Sequence, residues 1–105
     1  MHDLRPLSDR IRSLLVGRAA DPGGTLTGLE DTLTDGYAAA LELEAERLRI
    51  ERRMSELALT VERPDQADEL RGLAVRLIET EASLAELRAL LAELRRVAES
   101  PSSVA

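Results

Sequence analysis

The chain has 105 residues, enough for one small domain, and a net charge of −6 from 20 acidic and 14 basic side chains. It has no cysteine, which excludes disulfides and thiolate metal sites, and Tyr37 is its only aromatic residue. A composition rich in Leu, Ala, Glu and Arg is typical of coiled coils. It differs from the composition of enzymes, which place aromatic side chains in their cores and pockets.

All 14 basic residues are arginine, a bias typical of GC-rich bacterial genomes. The acidic balance argues against non-specific binding of nucleic acid, which depends on a positive surface. The sequence has neither a signal-peptide pattern at its N-terminus nor an uninterrupted apolar run of membrane-spanning length. We therefore expect a cytoplasmic protein that has no membrane partner.

Residues 1–18 are predicted to form a short N-terminal helix. Its apolar residues recur at helical spacing and are Leu4, Leu7, Ile11, Leu14 and Leu15. Pro6 falls where a first helical turn tolerates proline, and Gly17 is a typical residue at a helix end. Residues 19–27 are predicted to be a loop, because Pro22 is followed by two glycines.

Residues 28–62 and 66–99 are predicted to form two long helices, with apolar residues at the alternating steps of three and four that define a heptad repeat. Thr27 and Glu30 have the spacing of a capping box, and Asp65 is predicted to cap the following helix. The predicted seam between the helices consists of Leu29, Leu33, Ala40, Leu43, Ile50, Met54, Leu57, Leu70, Leu73, Leu77, Leu84, Leu87, Leu91 and Leu94. Residues 100–105 follow as a predicted disordered tail.

Only a few residues connect these two helices, so we expect them to pack antiparallel as a hairpin. Folding the chain about the bond between Arg63 and Pro64 pairs residues that are equally distant from that bond. In this register Gly36 lies opposite Leu91, a small residue facing a large one.

The same register places Arg47 opposite Thr80 and beside Glu81. A polar residue in an apolar seam often fixes the register of a coiled coil at some cost in stability. We predict that these three residues form a polar layer in which the guanidinium of Arg47 reaches the carboxylate of Glu81.

Six apolar residues outside the seam form a candidate partner surface, namely Tyr37, Leu41, Leu48, Ile78, Ala85 and Ala92. A hairpin by itself leaves them in water, and large exposed apolar patches mark binding surfaces. The N-terminal helix is too short to cover them all. We therefore predict an all-α protein, a long antiparallel two-helix hairpin with a short N-terminal helix, that is completed by oligomerisation or by a partner protein.

The sequence offers no candidate catalytic, cofactor-binding or metal site. His2 is the only histidine, which excludes both a di-iron site built from Glu-x-x-His pairs and nucleophile triads. Glu79, Glu86 and Glu93 recur every seven residues on the predicted solvent face, outside the kind of dry cleft that acid–base catalysis needs. We expect no enzymatic activity, no cofactor and no small-molecule substrate.

Two functions remain open. The leading hypothesis is a non-enzymatic interaction module, such as an adaptor, chaperone or assembly subunit, that self-associates or binds a partner helix. The alternative is a small regulatory protein that acts on DNA or a DNA-bound complex through the cluster Arg47, Arg49, Arg52 and Arg53. Helix-neighbour spacing instead predicts surface ion pairs for this cluster. Arg49 is expected to pair with Glu46, and Arg53 with Glu56.

Overall fold

A computed structural model describes residues 3–20, 26–60 and 62–99 of the chain. These ranges form three helices and contain no strand: α1 spans Arg5–Ala20, α2 spans Leu26–Thr60 and α3 spans Pro64–Glu99. Packing between α2 and α3 dominates, and the two form a long helical hairpin. The predicted fold class is confirmed.

α1 begins four residues after its predicted start, the predicted end of α3 at residue 99 agrees with the structure, and the other helix ends differ from the predicted ones by two residues. α1 continues past Gly17 to Ala20, because a single glycine in a helix costs only about 1 kcal/mol and does not end it by itself. α2 begins at Leu26, so Thr27 lies inside the helix and not at its cap, and it ends at Thr60 where the spacing predicted residue 62. The central loop residues 21–25 and the predicted tail 100–105 lie outside the described residues.

The start of α1 is fixed by Asp3. Its carboxylate accepts a hydrogen bond from the backbone N–H of Arg5 at 3.1 Å, which satisfies one of the free donors of the first turn. The side-chain hydrogen bond from Arg5, followed by this backbone one, lowers the pKa of the Asp3 carboxyl. Pro6 follows in the first turn, where its missing N–H removes no helical hydrogen bond.

The turn between α2 and α3 is capped by Arg63 and Gln66, and not by Asp65 as predicted. The Arg63 carbonyl accepts the first helical hydrogen bond of α3, from the N–H of Gln66 at 3.1 Å. The side-chain oxygen of Gln66 in turn accepts hydrogen bonds from the backbone N–H groups of Glu62 at 2.9 Å and Arg63 at 3.2 Å. The contact from Gln66 back to Arg63 is one of the two hydrogen bonds that make up a capping box. Pro64 is the first residue of the helix, and Asp65 lies inside its first turn.

The chain divides into two compact units along the hairpin. Unit 1 comprises α1, the part of α2 up to Ala40 and the part of α3 from Glu86 onward. Unit 2 comprises residues Leu41–Ala85, which are the remainder of α2, the turn and the first half of α3. Because the hairpin is antiparallel, each unit takes one segment from each long helix.

The core of unit 2 is built from seam residues of both helices. Ile50, Leu57 and Leu73 are buried together, and the half-buried side chains of Met54, Leu70 and Leu77 pack against them. These six residues form three pairs that are equally distant from the turn. Their common cluster agrees with the register predicted for the hairpin.

The core of unit 1 shows the same register through Gly36. A β-carbon built on Gly36 would overlap the side chain of Leu91, which is itself buried. Because Gly36 has no side chain, the side chain of Leu91 packs in the space beside it. All fourteen predicted seam residues are buried or half-buried. The half-buried ones are Leu33, Met54, Leu70 and Leu77, and the buried ones are Leu29, Ala40, Leu43, Ile50, Leu57, Leu73, Leu84, Leu87, Leu91 and Leu94.

α1 packs onto both long helices in unit 1. Its Ile11 side chain is completely buried. The guanidinium of Arg10 donates to the hydroxyl of Thr32 at 3.1 Å and to the carboxylate of Asp35 at 2.6 Å, both on α2. Arg12 donates to Glu86 on α3 at 2.7 Å. α1 is thus held by one apolar anchor and by polar contacts at its rim.

Candidate interaction surface

Two edges flank the seam of a coiled coil, one formed by the residues that precede its a positions and the other by the residues that follow its d positions. In unit 2 the a positions are Arg47, Met54, Leu70, Leu77 and Leu84, and the d positions are Leu43, Ile50, Leu57, Leu73 and Thr80. In unit 2 the first edge carries Glu46 and Arg53 on α2 and Glu69 and Arg76 on α3. Arg53 binds Glu69 through two hydrogen bonds of 3.0 and 3.2 Å, and Arg76 binds Glu46 at 2.5 Å. We call this row of four residues the paired edge, because every charge on it has a partner across the hairpin.

These ion pairs change the acidity of their carboxyl groups. The hydrogen bond from Arg49, and then the charges of Arg49 and Arg76, lower the pKa of Glu46, whose side chain is only 21% exposed. The hydrogen bond from Arg53 lowers the pKa of Glu69. Both carboxylates are therefore held in their charged form by three arginines, two of which lie on the opposite helix.

The other edge of unit 2 is lined by apolar side chains that remain in water. Leu41 and Leu48 on α2 are 66% and 54% exposed, Ile78 on α3 is 67% exposed, and Ala85 is exposed as well. Each of these four residues comes three positions before a residue that belongs to this edge. Residues three apart are neighbours on a helix surface, so all four lie on the same side of the hairpin. We call these four residues the apolar surface.

The two remaining residues of the candidate partner surface belong to unit 1. Tyr37 and Ala92 are exposed there. Tyr37 interacts with Arg95 of α3 and, after the hydrogen bond and charge of Glu99, contributes to raising the pKa of the Arg95 guanidinium. Within unit 1 this interaction joins the edges that follow the d positions of α2 and α3.

α1 does not cover this side of unit 1. Its polar contacts reach Thr32, Asp35 and Glu86, all of which lie on the edge that precedes the a positions or one helical turn from it. The sequence predicted only that the N-terminal helix is too short to cover all six candidate residues. None of the six candidate residues is buried within the chain.

The polar layer does not form the predicted ion pair. Glu81 is exposed, and in the part of the chain that the structure describes it makes no ion pair with Arg47. The Nε atom of Arg47 is buried without a hydrogen-bond partner, and Thr80 is half-buried. The predicted ion pair between Arg47 and Glu81 is therefore missing from the described residues.

Two of the four arginines in the cluster on α2, Arg49 and Arg53, bind carboxylates. Arg49 binds Glu46 at 2.7 Å, and Arg53 contacts Glu56 at 3.4 Å in addition to Glu69. Both helix-neighbour ion pairs expected from the sequence are confirmed.

Two exposed apolar residues of unit 2 lie outside the six-residue candidate surface. Leu59 is 86% exposed in the last turn of α2, and Val75 is exposed on α3. Val75 lies three residues before Ile78, so its spacing from a residue already singled out was the signal. Leu59 had no such signal, because its neighbours at helical spacing are polar or small.

The described residues contain no group of three or more acidic or histidine side chains arranged to hold a metal ion. None of the described helices combines the length and the apolar character needed to cross a bilayer. Comparison with protein-family models, curated protein sequences and solved structures gives no match to this chain.

Proposed function

We propose that the chain is a non-enzymatic protein–protein interaction module, an adaptor, chaperone or assembly subunit, that binds a helix along the apolar surface of unit 2. The observation that supports this function is the exposure of Leu41, Leu48 and Ile78 on one side of the hairpin. Burying one such side chain contributes about 1.5–3 kcal/mol, so a partner that covers all three gains substantial affinity.

The docking of α1 supports the same mode of binding. In unit 1 the hairpin accepts a third helix on one side, with Ile11 buried at the centre and Arg10 and Arg12 hydrogen-bonded at the rim. An apolar anchor surrounded by polar contacts is the usual anatomy of a helix bound in a groove. The apolar surface of unit 2 offers a second place for a helix to bind in this way.

We favour this function over action on DNA. A phosphate-binding surface needs arginines that are available to the ligand, whereas Arg49 and Arg53 are bound to carboxylates of the same chain. Contact between these two arginines and a phosphate backbone would have to break their ion pairs, in a protein that is already acidic.

A photo-crosslinking amino acid at Leu48 of the full chain, expressed in its native host, tests the proposal. Gly72 is the matched control position, because it is exposed on α3 with no heavy atom near its side-chain direction. We expect a defined adduct from position 48, reduced when Ile78→Gln is introduced in the same chain. Absence of an adduct, or the same adducts from both positions, would contradict the proposal.

A further inference from the structure

α1 occupies a site on unit 1 whose charged residues are all acidic. The site lies on the edge that precedes the a positions and on the residues one helical turn from that edge. In the described part of unit 1, the charged residues of α2 and α3 at these positions are Asp35, Glu86 and Glu93, and none is basic. The basic side chains that bind here, Arg10 and Arg12, both belong to α1. We call this site the α1 groove.

The acidic residues of the α1 groove depend on α1 for their partners. Within the described residues, Asp35 binds only Arg10, and Glu86 binds only Arg12. The paired edge of unit 2 differs in this respect, because its glutamates are bound by arginines of the hairpin itself. Departure of α1 would therefore leave two carboxylates of the hairpin available to another basic helix.

Thr32 makes the α1 groove selective for an arginine. Its side chain is only 2% exposed, and its hydroxyl accepts a hydrogen bond of 3.1 Å from the Nε atom of Arg10. The same guanidinium donates to Asp35 at 2.6 Å. An occupant without a donor at this place leaves a buried hydroxyl without this hydrogen bond, which costs binding energy. Arginine fits best, because its planar fork serves two acceptors at once.

α1 is held in the groove by a small part of its surface. Among the α1 residues whose side chains are described, Ile11 is the one apolar residue that is fully buried. The other apolar residues are half-buried or exposed, namely Leu4, Leu7, Leu14, Leu15 and Val16. The two ion pairs join side chains that are 48% to 60% exposed, and ion pairs in water add little stability. We therefore expect α1 to detach more readily than the hairpin core opens.

We propose that α1 is a displaceable cover, and that the α1 groove binds in its place a helix of another protein that carries an aliphatic residue between two arginines. This is the arrangement of Arg10, Ile11 and Arg12. The α1 groove is separate from the apolar surface of unit 2, so the inference does not rest on the proposed function. Because residues 21–25 tether α1 to α2, the partner competes with a helix at an effective concentration of about millimolar. α1 is thus autoinhibitory.

The α1 helix of a second copy is a poor competitor for the groove. It has the required chemistry, but it is already docked on its own chain. Its tether favours that chain at protein concentrations below about millimolar. A helix of another protein has no groove of its own to leave, and it pays no such penalty.

A fluorescent peptide with the sequence of residues 3–20 is the probe, and fluorescence anisotropy measures its binding to the full chain. Ile11→Ala in the chain removes the anchor of the tethered helix and leaves the residues of the groove unchanged. We expect this variant to bind the peptide at least about tenfold more tightly than the wild type. Val16→Ala, at an exposed position of α1, is the control and should bind the peptide as the wild type does.

The chain variant Arg10→Gln with Arg12→Gln keeps the anchor and should raise the affinity for the peptide in the same direction by a smaller factor. Equal affinities of the wild type and of both variants would overturn the proposal. So would the absence of binding up to millimolar peptide, if circular dichroism shows that the variants are folded.

Matched charge variants locate the peptide. In the Ile11→Ala chain, Asp35→Asn with Glu86→Gln should weaken peptide binding about tenfold and reduce its salt dependence. Glu30→Gln with Glu79→Gln removes the same charge at exposed positions outside the groove and should change the affinity less than about twofold. Equal losses would indicate general attraction to an acidic protein and would overturn the proposal. A peptide in which glutamine replaces both arginines should bind about tenfold more weakly, and equal binding would contradict the proposed partner chemistry.

Two further outcomes would assign the binding elsewhere. Loss of peptide binding in Leu48→Gln with Ile78→Gln would place the peptide on the apolar surface of unit 2, which would support the proposed function and overturn this inference. A wild-type mass above 11.5 kDa in light scattering that returns to monomer in Asp35→Asn with Glu86→Gln would make α1 of a second copy the occupant. That result would overturn the partner from another protein.

Discussion

The side chain of Leu91 occupies the place where a β-carbon on Gly36 would lie. A β-carbon there would overlap Leu91 Cδ2 and stand 3.2 Å from its Cγ, and Leu91 is only 2% exposed, so the leucine has no free space into which to move. Gly36 interrupts an otherwise helix-favouring sequence because the opposite helix requires the space. The small residue is a packing requirement of the hairpin and not a flexible point in α2.

Replacing Gly36 with alanine should therefore destabilise the protein by about 1–3 kcal/mol, although alanine favours helix formation. Gly72→Ala is the control, since its added methyl meets nothing within 4 Å and should stabilise α3 by up to about 1 kcal/mol. Urea denaturation measures both. Adding Leu91→Ala to Gly36→Ala should recover part of the loss, and strictly additive effects would contradict the contact.

Leu84 is a central test of the seam. Its side chain is 2% exposed, so Leu84→Arg removes its packing and introduces a charge into the core, a loss of several kcal/mol that approaches the whole stability of a small domain. Thermal unfolding followed by circular dichroism should show loss of the cooperative transition. Glu79→Arg is the proper control because Glu79 is exposed, whereas Glu86 binds Arg12 and is not neutral. Equal melting temperatures for the two variants would place Leu84 outside the seam.

The unsatisfied Nε of Arg47 predicts that this residue weakens the fold. Arg47→Leu should raise the free energy of unfolding by about 1–2 kcal/mol, because a buried donor without a partner is removed. Glu81→Gln should change it by less than about 0.5 kcal/mol, since Glu81 is exposed and does not bind the arginine. A double-mutant cycle between the two should give a coupling energy near zero, and a coupling above about 1 kcal/mol would restore the ion pair predicted from spacing.

The paired edge makes stability depend on acidity. Arginines lower the folded-state pKa of Glu46 and Glu69 below the ordinary value of 4.5, so the unfolded chain binds more protons than the folded one as the pH falls through that value. Their stabilisation is complete above that value and is lost as the pH falls through the lower folded-state pKa. The melting temperature should therefore drop below about pH 5. The drop should be smaller in a Glu46→Gln, Glu69→Gln variant than in a Glu79→Gln, Glu93→Gln control, and identical pH profiles would contradict the mechanism.

The docking of α1 should be separable from the stability of unit 2. Ile11 is fully buried, so Ile11→Ala should cost roughly 2–4 kcal/mol of α1 docking, whereas Val16→Ala at an exposed position of α1 should cost little. Hydrogen exchange measures the result residue by residue. Amides of α1 should exchange faster in Ile11→Ala while those of the Ile50, Leu57 and Leu73 cluster keep their protection. Equal acceleration in both regions would show that the two units unfold together.

The heptad spacing of the sequence is sufficient to predict the hairpin and its register. Helical geometry alone decides which residues share a face of a helix. Two long helices that are joined by a short turn pack antiparallel. For that reason Gly36 and Leu91 could be placed opposite each other from the sequence. The ion pairs of the paired edge follow from the same spacing, because Glu46 and Arg76, like Arg53 and Glu69, stand in the same relation across the register.

Only the tertiary structure decided where α1 packs, how the turn is capped and whether Arg47 finds a partner. Periodicity gave α1 an apolar face but not the place on the hairpin that receives it, which depends on the fit of Ile11 and on distant hydrogen bonds such as that from Arg10 to Asp35. The Arg47 side chain has several rotamers of similar energy, and residue spacing does not select among them. Spacing determines which residues are neighbours, and the three-dimensional packing determines which neighbours bind.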